Sequence, residues 1–404
     1  MKDSVLIIGA GYEQIPIIIE AKRQGYEVVA VDGNPDAPGL TFSDYYYIVS
    51  TRCADEITDI ALKHKVCAVT SMITEAALES VYKVASTLNL PGPSLKSVRA
   101  STDKTYMREL FDAYGLVNPR FAKAGSLAEA LEKSKAVGFP MVMKPADSGG
   151  QRGLFVVRNR SELERNFATS FKASVTGKVI LEEQLTGTEY NVVAIVRNGR
   201  IGSLVVSERR KYPVGAYGIV AYHIYPSGLD DSILIQIKEL IRKSVNAMKI
   251  DNGIVFSQIF LTSRGPMIIE TAERIPGGVM DKLFFYVTGY DLVKIQLDIA
   301  LGKEINLSHY NSGIKYPAVV VKFLNAYPGR LLPGTVVEAK GVDKILNVKG
   351  VLTANYFGNP NTINPLRTGS DRFYYIISHG LTREEAMRNA DSAADILHFE
   401  VLER

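Results

Sequence analysis

LEEQLTGTEY, residues 181–190, closes an apolar segment with two adjacent carboxylates, Glu182 and Glu183, and turns at Gly187 before a third, Glu189. These ten residues suit recognition of a nucleoside. Hinge backbone groups read the edge of an adenine, Leu185 covers its face, and Glu189 accepts from ribose hydroxyls. A solvated acidic turn fits the same residues. The flanking segments decide between the two readings.

Upstream, FPMVMKP (139–145) reads as a strand that stops at a proline and presents Lys144 at its end. The loop that follows holds Ser148, Gly149, Gly150 and Gly153. Without intervening side chains, its N–H groups can approach phosphate oxygens closely, and Lys144 adds a compact positive charge for the same phosphates. An ordinary hairpin tip with a surface lysine fits the loop taken alone. No Gly-x-x-x-x-Gly-Lys-Ser/Thr run occurs anywhere, which excludes P-loop chemistry.

Downstream, two apolar runs, 256–261 and 267–271, flank Ser263-Arg264-Gly265-Pro266. A hairpin turning at Arg264 sets Gln258 opposite Glu270, with Cβ atoms about 4.5–5.5 Å apart. The alternation of a strand puts Ala272 and Arg274 on the face of Glu270. Oxygen ligands from Gln258, Glu270 and ATP phosphates suit Mg²⁺, with Mn²⁺ as its substitute. Arg274 suits a transferred phosphoryl group or a developing oxyanion. A buried Glu270–Arg274 ion pair is the alternative.

The rest of the chain supplies the frame. With 404 residues the chain is expected to form two to three domains. A net charge of +4, with 22% charged residues interleaved along the chain, gives no reason to expect nucleic-acid binding or extended disorder. No apolar run spans a bilayer, and the start, MKDSVLIIGAGYEQ, lacks a cleavage pattern, so a cytoplasmic protein is expected. Cys53 and Cys67 have neither metal nor redox spacing. The first hundred residues alternate strand and helix in a doubly wound pattern. The turn formers at LPGPS (90–94) mark a boundary. Asn198-Gly199 predicts a hairpin, while Ser126/Glu129, Ser161/Glu164 and Thr382/Glu385 predict capped helix starts. Gly9 and Gly11 after the first strand, with Asp32 ending the second, invite an NAD(P) oxidoreductase reading. The third glycine of that fingerprint is Gln14 here, and a plain tight turn fits as well.

The order of Asp103-Lys104, KPADSGGQRG, LEEQLTGTEY and QIFL…IIETAERIPGG resembles the ATP-grasp superfamily, which includes carbamoyl phosphate synthetase, D-alanine–D-alanine ligase, biotin carboxylase and bacterial L-amino acid ligases. ISHGLTREEAMRNADSAADIL is similar to the C-terminal segment of its biotin-carboxylase-like and amino acid ligase members. The resemblance implies an α/β ATP-grasp fold in three parts. These are a parallel-sheet domain (1–100), a core (101–302) with a mobile lid at about 117–187, and a C-terminal subdomain (303–404) completing the ligase core. Lys104 and Lys144 would bind phosphates, and Ser148, Gly149 and Gly150 would form the lid loop. Glu182, Glu183 and Leu185 would hold adenine, Glu189 the ribose, and Gln258 with Glu270 the metal. Ala272 stands where the family usually has a metal-binding Asn. Arg274 would be the active-site arginine, catalytic together with Lys144. Arg209, Lys211, His223, Gly277 and Gly278 are the candidate substrate contacts, although a solvated basic turn also fits the Arg209–Lys211 segment. The implied activity joins a small-molecule carboxylate to an amine through an acyl phosphate, with an amino acid as at least one substrate, and forms ADP and phosphate. A homodimer is one expected assembly. A biotin- or bicarbonate-dependent carboxylase is the alternative on the same core.

Overall fold

The computed structural model describes residues 2–149, 152–215 and 217–402. Gly150 of the expected lid loop lies outside the described residues.

The N-terminal unit is a parallel sheet built from β1 (Ser4–Ile8), β2 (Glu27–Asp32), β3 (Tyr45–Ile48) and β4 (Ala68–Thr70), in the order β3-β2-β1-β4. The central strand SVLII is buried at all five positions. It needs an unbroken apolar run because helices cover both faces of a parallel sheet. Those helices are α1 (Ile15–Arg23), α2 (Ala54–His64) and α3 (Leu78–Leu88). The exposed edge strand β3, Tyr-Tyr-Tyr-Ile, is not in the sequence reading, because it is short and three of its four residues are exposed.

After α4 (Leu95–Thr102) and α5 (Lys104–Ala113), residues 121–183 form a four-stranded antiparallel sheet. Its strands are β5 (Phe121–Ala124), β6 (Met141–Pro145), β7 (Phe155–Val157) and β8 (Val179–Glu183), in the order β5-β8-β6-β7. The helices α6 (Leu127–Val137) and α7 (Arg160–Lys172) pack on it through a core that includes Met143, Leu163, Phe167 and Leu181. Ser126 caps α6 as expected, accepting from Glu129 N at 3.3 Å. The start of α7 differs from expectation: Asn159, not Ser161, is the cap, accepting from Glu162 N at 3.0 Å. An Asn two residues earlier captures the free N–H first, so the helix begins ahead of the Ser161/Glu164 pair.

The largest sheet has eight antiparallel strands. They are β9 (Thr188–Arg197), β10 (Arg200–Tyr212), β11 (Ile219–Tyr225), β12 (Gly253–Thr262), β13 (Gly265–Glu273), β14 (Ala318–Leu324), β16 (Val351–Tyr356) and β18 (Tyr374–Gly380), in the order β13-β12-β9-β10-β11-β14-β18-β16. The two-residue turn between β9 and β10 is Asn198-Gly199, with φ of 49° and 68°, the left-handed pair such a hairpin requires. The amphipathic helix α8 (Asp231–Met248) buries Ile237, Leu240, Ile241, Ser244 and Met248, while α9 (Met280–Thr288) and α10 (Leu292–Ala300) extend the main core. Strands from beyond residue 303 thus finish a sheet begun at residue 188. The remaining C-terminal elements are a small sheet of β15 (Gly334–Lys340), β17 (Thr362–Ile363) and β19 (His398–Leu402), and α11 (Arg383–Asp395), which Thr382 caps. No helix among the described residues is long and apolar enough to cross a membrane.

Candidate active site

The parallel sheet, the four-stranded antiparallel sheet and the eight-stranded sheet meet around a cavity of about 750 Å³. Its lining includes Lys104, Lys144, Ser148, Gly149, Glu182, Glu183, Leu185, Glu189, Arg209, Lys211, His223, Gln258, Glu270, Arg274 and Gly277. Residues singled out across 174 positions of sequence therefore share one wall, and each reaches it for a local reason.

Lys104 is carried in by a helix cap. Asp103 accepts from Thr105 N at 2.8 Å and Tyr106 N at 3.1 Å, fixing the first turn of α5 and aiming the neighbouring lysine inward. Its Nζ donates to Ser148 O at 3.0 Å and lies 3.3 Å from Glu270 Oε1. Burial opposes its charge, but the carboxylates of Glu270 and Glu75 outweigh that and hold the ammonium pKa above its ordinary value.

Lys144 arrives on β6 and meets Glu182 Oε2, on the adjacent β8, at 2.5 Å. Glu182 Oε1 accepts from Arg108 Nε at 2.6 Å, and Arg108 also donates to Ile268 O at 2.6 Å and Ile269 O at 2.9 Å. Arg108 is fully buried, so one guanidinium ties the small sheet to the hairpin strand that carries Glu270. Burial would raise the Glu182 pKa, but Arg108 and Lys144 overcome it and hold the group at about 2. For Lys144 burial wins and lowers its pKa, despite Glu182. Both Glu182 oxygens are engaged, so recognition of an adenine here would rest on the backbone and on Leu185. Glu183 is likewise committed, accepting from Arg264 Nη2 at 2.7 Å and Arg120 N at 3.3 Å.

The Gln258/Glu270 pairing expected from the hairpin is present in register, followed at once by a bulge. Phe256, Gln258, Phe260, Glu270 and Arg274 face the cavity, while Ser257 and Thr271 hydrogen-bond on the opposite face at 2.8 Å. Burial opposes the Glu270 charge, and Lys104, Lys144 and Arg274 together lower its pKa. The oxygen donors of Gln258 and Glu270 fit Mg²⁺. Among the described residues no group of three His, Cys, Asp or Glu could hold a metal ion, so this pair needs phosphate oxygens to complete a coordination shell. Arg274 is not paired with Glu270. It binds Glu75 Oε1 through Nε at 2.9 Å and lies over the Phe256 ring at 5.3 Å. Glu75 sits in the loop after β4, a long-range partner that a local reading of the hairpin cannot find.

Arg209 and Lys211 do not lie in a solvated turn. They belong to β10, whose alternation turns both inward and leaves Arg210 on the outer side with Glu208. Lys211 Nζ is 2.8 Å from Glu189 Oε1, while Glu189 Oε2 is buried without a hydrogen-bond donor among the described residues and forms a looser ion pair with Arg209 Nη1 at 3.6 Å. His223 is fully buried, and its Nδ1 lies 2.9 Å from Asn191 Nδ2. Gly278 has φ 74° and donates its N–H to Glu13 Oε1 at 2.6 Å. Glu13, Glu75, Arg108 and Arg372 are among the cavity residues that the sequence reading does not single out. Only Glu13, beside the Gly9-Gly11 turn, carried a local signal. That turn does not present a dinucleotide site. Gln14 fills the space beside Gly9 and donates to Met72 O at 3.1 Å, and Asp32 is used by Ala10 N at 2.7 Å.

Residues 102–276, the span that carries both lysines, the Glu182 strand and the Gln258/Glu270 hairpin, match the family "Phosphoribosylglycinamide synthetase, ATP-grasp (A) domain". That span is similar to an ATP-grasp domain. The chain also matches "L-amino acid ligase C-terminal domain 2" over residues 331–402.

Among curated relatives it is 24% identical over 405 residues to a formate-dependent phosphoribosylglycinamide formyltransferase of Sulfurisphaera tokodaii, covering 97% of this chain and 96% of that protein. It is also 24% identical over 325 residues to the uncharacterized protein y4rH of Sinorhizobium fredii, where the match covers 78% of this chain but only 65% of that protein. Two solved structures share the fold along essentially the whole chain. An L-amino acid ligase from Bacillus licheniformis superposes with TM-score 0.81 at 20% identity, covering all of both chains. A phosphoribosylglycinamide synthetase from Anaerococcus prevotii also gives TM-score 0.81, at 18% identity, covering 99% of this chain and all of that one.

Proposed function

We propose that this chain is a cytosolic carboxylate–amine ligase that makes an amide or peptide bond, with an amino acid as at least one substrate. The observation that carries the reading is the convergence of Lys104, Lys144, Gln258, Glu270 and Arg274 on one cavity. Nucleotide, metal and reacting carboxylate can share it. The match to an amino acid ligase C-terminal domain favours an amino acid over bicarbonate as acceptor.

In the proposed cycle a carboxylate oxygen attacks the γ-phosphorus of ATP, the bond to the ADP oxygen breaks, and an acyl phosphate forms. The lone pair of the amine then attacks the acyl carbon, phosphate leaves with the C–O bonding pair, and the nitrogen loses a proton. Lys104 and Lys144 neutralise phosphate charge, and Glu182 with Arg108 holds Lys144 in place. Glu189, whose Oε2 accepts no hydrogen bond from the described residues and faces Arg209 Nη1 at 3.6 Å, takes the ribose hydroxyls. Gln258 and Glu270 would hold Mg²⁺, or Mn²⁺ in its place, which when bound draws off charge from the phosphates. Arg274, fixed by Glu75, faces the oxyanion formed as the amine attacks. The small sheet of residues 121–183 would close over the phosphates and keep water from the acyl phosphate.

Phosphate release with ATP, Mg²⁺ and pairs of amino acids tests the reading. ADP formation that requires both an acid and an amine supports it. Turnover that needs bicarbonate instead selects a carboxylase.

A further inference from the structure

One half-buried cation in the cavity has no part in that cycle. Arg372 lies just before β18 with its guanidinium between two rings, 4.2 Å from the centroid of Phe323 and 4.3 Å from that of Phe357. Nε donates to Gly369 O at 2.6 Å. Nη1 and Nη2 find no acceptor among the described residues, and no carboxylate forms an ion pair with them. Among the described residues Glu13 is the carboxylate that acts on Arg372 through space, and it already accepts from Gly278 N. Burial pushes the Arg372 pKa down to about 10, so the group remains charged at neutral pH. A guanidinium held on both faces keeps a fixed plane and presents its free edge in one direction.

His223 faces the same place. Burial, with the charges of Arg209 and Arg372, keeps its ring neutral. Asn191 Nδ2 donates to Nδ1, so the ring proton sits on Nε2 and Nε2–H is a donor. A Cβ at Gly278 would lie 3.0 Å from Arg372 Nη1 and 3.2 Å from His223 Nε2, so the missing side chain leaves that corner open. Three nitrogen donors thus face a corner where none of them has a hydrogen-bond acceptor among the described residues, and Arg209 adds positive charge there, with its Nε unpartnered and its Nη1 3.6 Å from Glu189 Oε2. This corner is separate from the phosphoryl site. His223 is on β11, three strands from Gln258 on β12 in the order β12-β9-β10-β11, about 14 Å across the sheet.

We propose that Arg372, with His223 Nε2–H, is a specificity-determining site for a second anionic group on one of the substrates, a carboxylate or phosphoryl group other than the carboxylate that is activated. The inference rests on the ligase reading above and narrows it: one substrate is a dianionic acid, or an amine bearing an anionic substituent.

The test is ADP formation with ATP, Mg²⁺ and amino-acid pairs in which each neutral member has an anionic counterpart: asparagine against aspartate, glutamine against glutamate, serine against O-phosphoserine. Wild type is expected to require an anionic member, and the arm that works tells carboxylate from phosphoryl. Arg372→Gln should raise KM for that member about 10- to 100-fold with a smaller change in kcat, and Arg372→Lys should recover part of it. Neutral pairs turned over as well as anionic ones, or an unchanged KM in Arg372→Gln, would overturn the proposal. A binding arm separates this failure from failure of the ligase reading. With Mg²⁺–ADP present, malonate or inorganic phosphate should raise the melting temperature of wild type and not that of Arg372→Gln, while both proteins keep the same affinity for ADP. An anion shift lost in Arg372→Gln, without turnover of any pair, would keep the anion site and remove the ligase. Equal shifts in both proteins, or no shift in wild type, would remove the anion site.

Discussion

The phosphoryl end of the cavity and its far end are built on opposite electrostatic plans. At the phosphoryl end, Lys104, Lys144 and Arg108 are matched by Glu270 and Glu182 at contact distance, and the pairs cross-link α5, β6, β8 and β13. At the far end, Arg372 is half-buried with both terminal nitrogens unused, Arg209 is half-buried with Nε unused and meets Glu189 Oε2 only at 3.6 Å, and Glu13 is spent on a backbone amide. The first plan holds groups in place before ATP arrives, since preorganised charge costs little to reorganise during phosphoryl transfer. The second leaves binding capacity for the molecule that completes it. Burying an unpaired cation is costly, and a fold that does so at a cavity wall makes the site selective for whatever supplies the missing charge.

The largest expected effect lies at the phosphoryl end. Glu270→Ala should lower ATP turnover by about 10²–10³-fold or more while circular dichroism stays that of wild type. Turnover near the wild-type rate would show that the paired end is merely structural. Next, Arg108→Met leaves Glu182 buried with one partner fewer and cuts the link to Ile268 and Ile269. It should cost about 3–5 kcal/mol, read as a fall in denaturant midpoint. An unchanged midpoint would mean that the paired end does not hold the two sheets together.

The two ends also differ in how far the sequence reveals them. Lys144, Glu182 and the Gln258/Glu270 hairpin could be found because each lies in a segment whose strand period and turn residues fix its direction. Asp103 announces the helix that carries Lys104 in the same way. Glu75, Arg108 and Arg372 could not be found so, because their roles depend on partners 199, 74 and nearly 50 residues away. The fold divides similarly. The alternating pattern of the first hundred residues predicts the parallel sheet but misses β3, a short edge strand of exposed tyrosines. The joining of β14, β16 and β18 to a sheet begun at Thr188 is a long-range pairing with no local signature. Arg209–Lys211 illustrates the limit in one place, where a basic run that suits a turn is in fact a strand with two residues facing inward.

Smaller effects sharpen the contrast through pH. The Glu182 pKa is about 2 in the fold against an ordinary 4.5, so its contribution to stability is present above pH 4.5 and is lost as pH falls toward 2. Acid unfolding of wild type and Glu182→Gln should therefore converge over that range, and curves that stay parallel would count against the pairing. Glu273, on the outer face of β13, is the opposite case. Burial pushes its carboxyl up to about 7, and Ser97 offsets this only in part. A raised carboxyl pKa costs stability as pH rises from 4.5 through 7. Glu273→Gln should therefore melt a few degrees above wild type at pH 8 and alongside it at pH 4.5. Equal differences at both values would rule out a buried charge there.

The most direct test of the account is ³¹P NMR of a reaction containing the protein, ATP, Mg²⁺ and a substrate pair selected from the phosphate-release screen. The account predicts ADP and inorganic phosphate in equal amounts, formed only when the acid and the amine are both present. AMP with pyrophosphate, or ADP formed at the same rate without the amine, would contradict it.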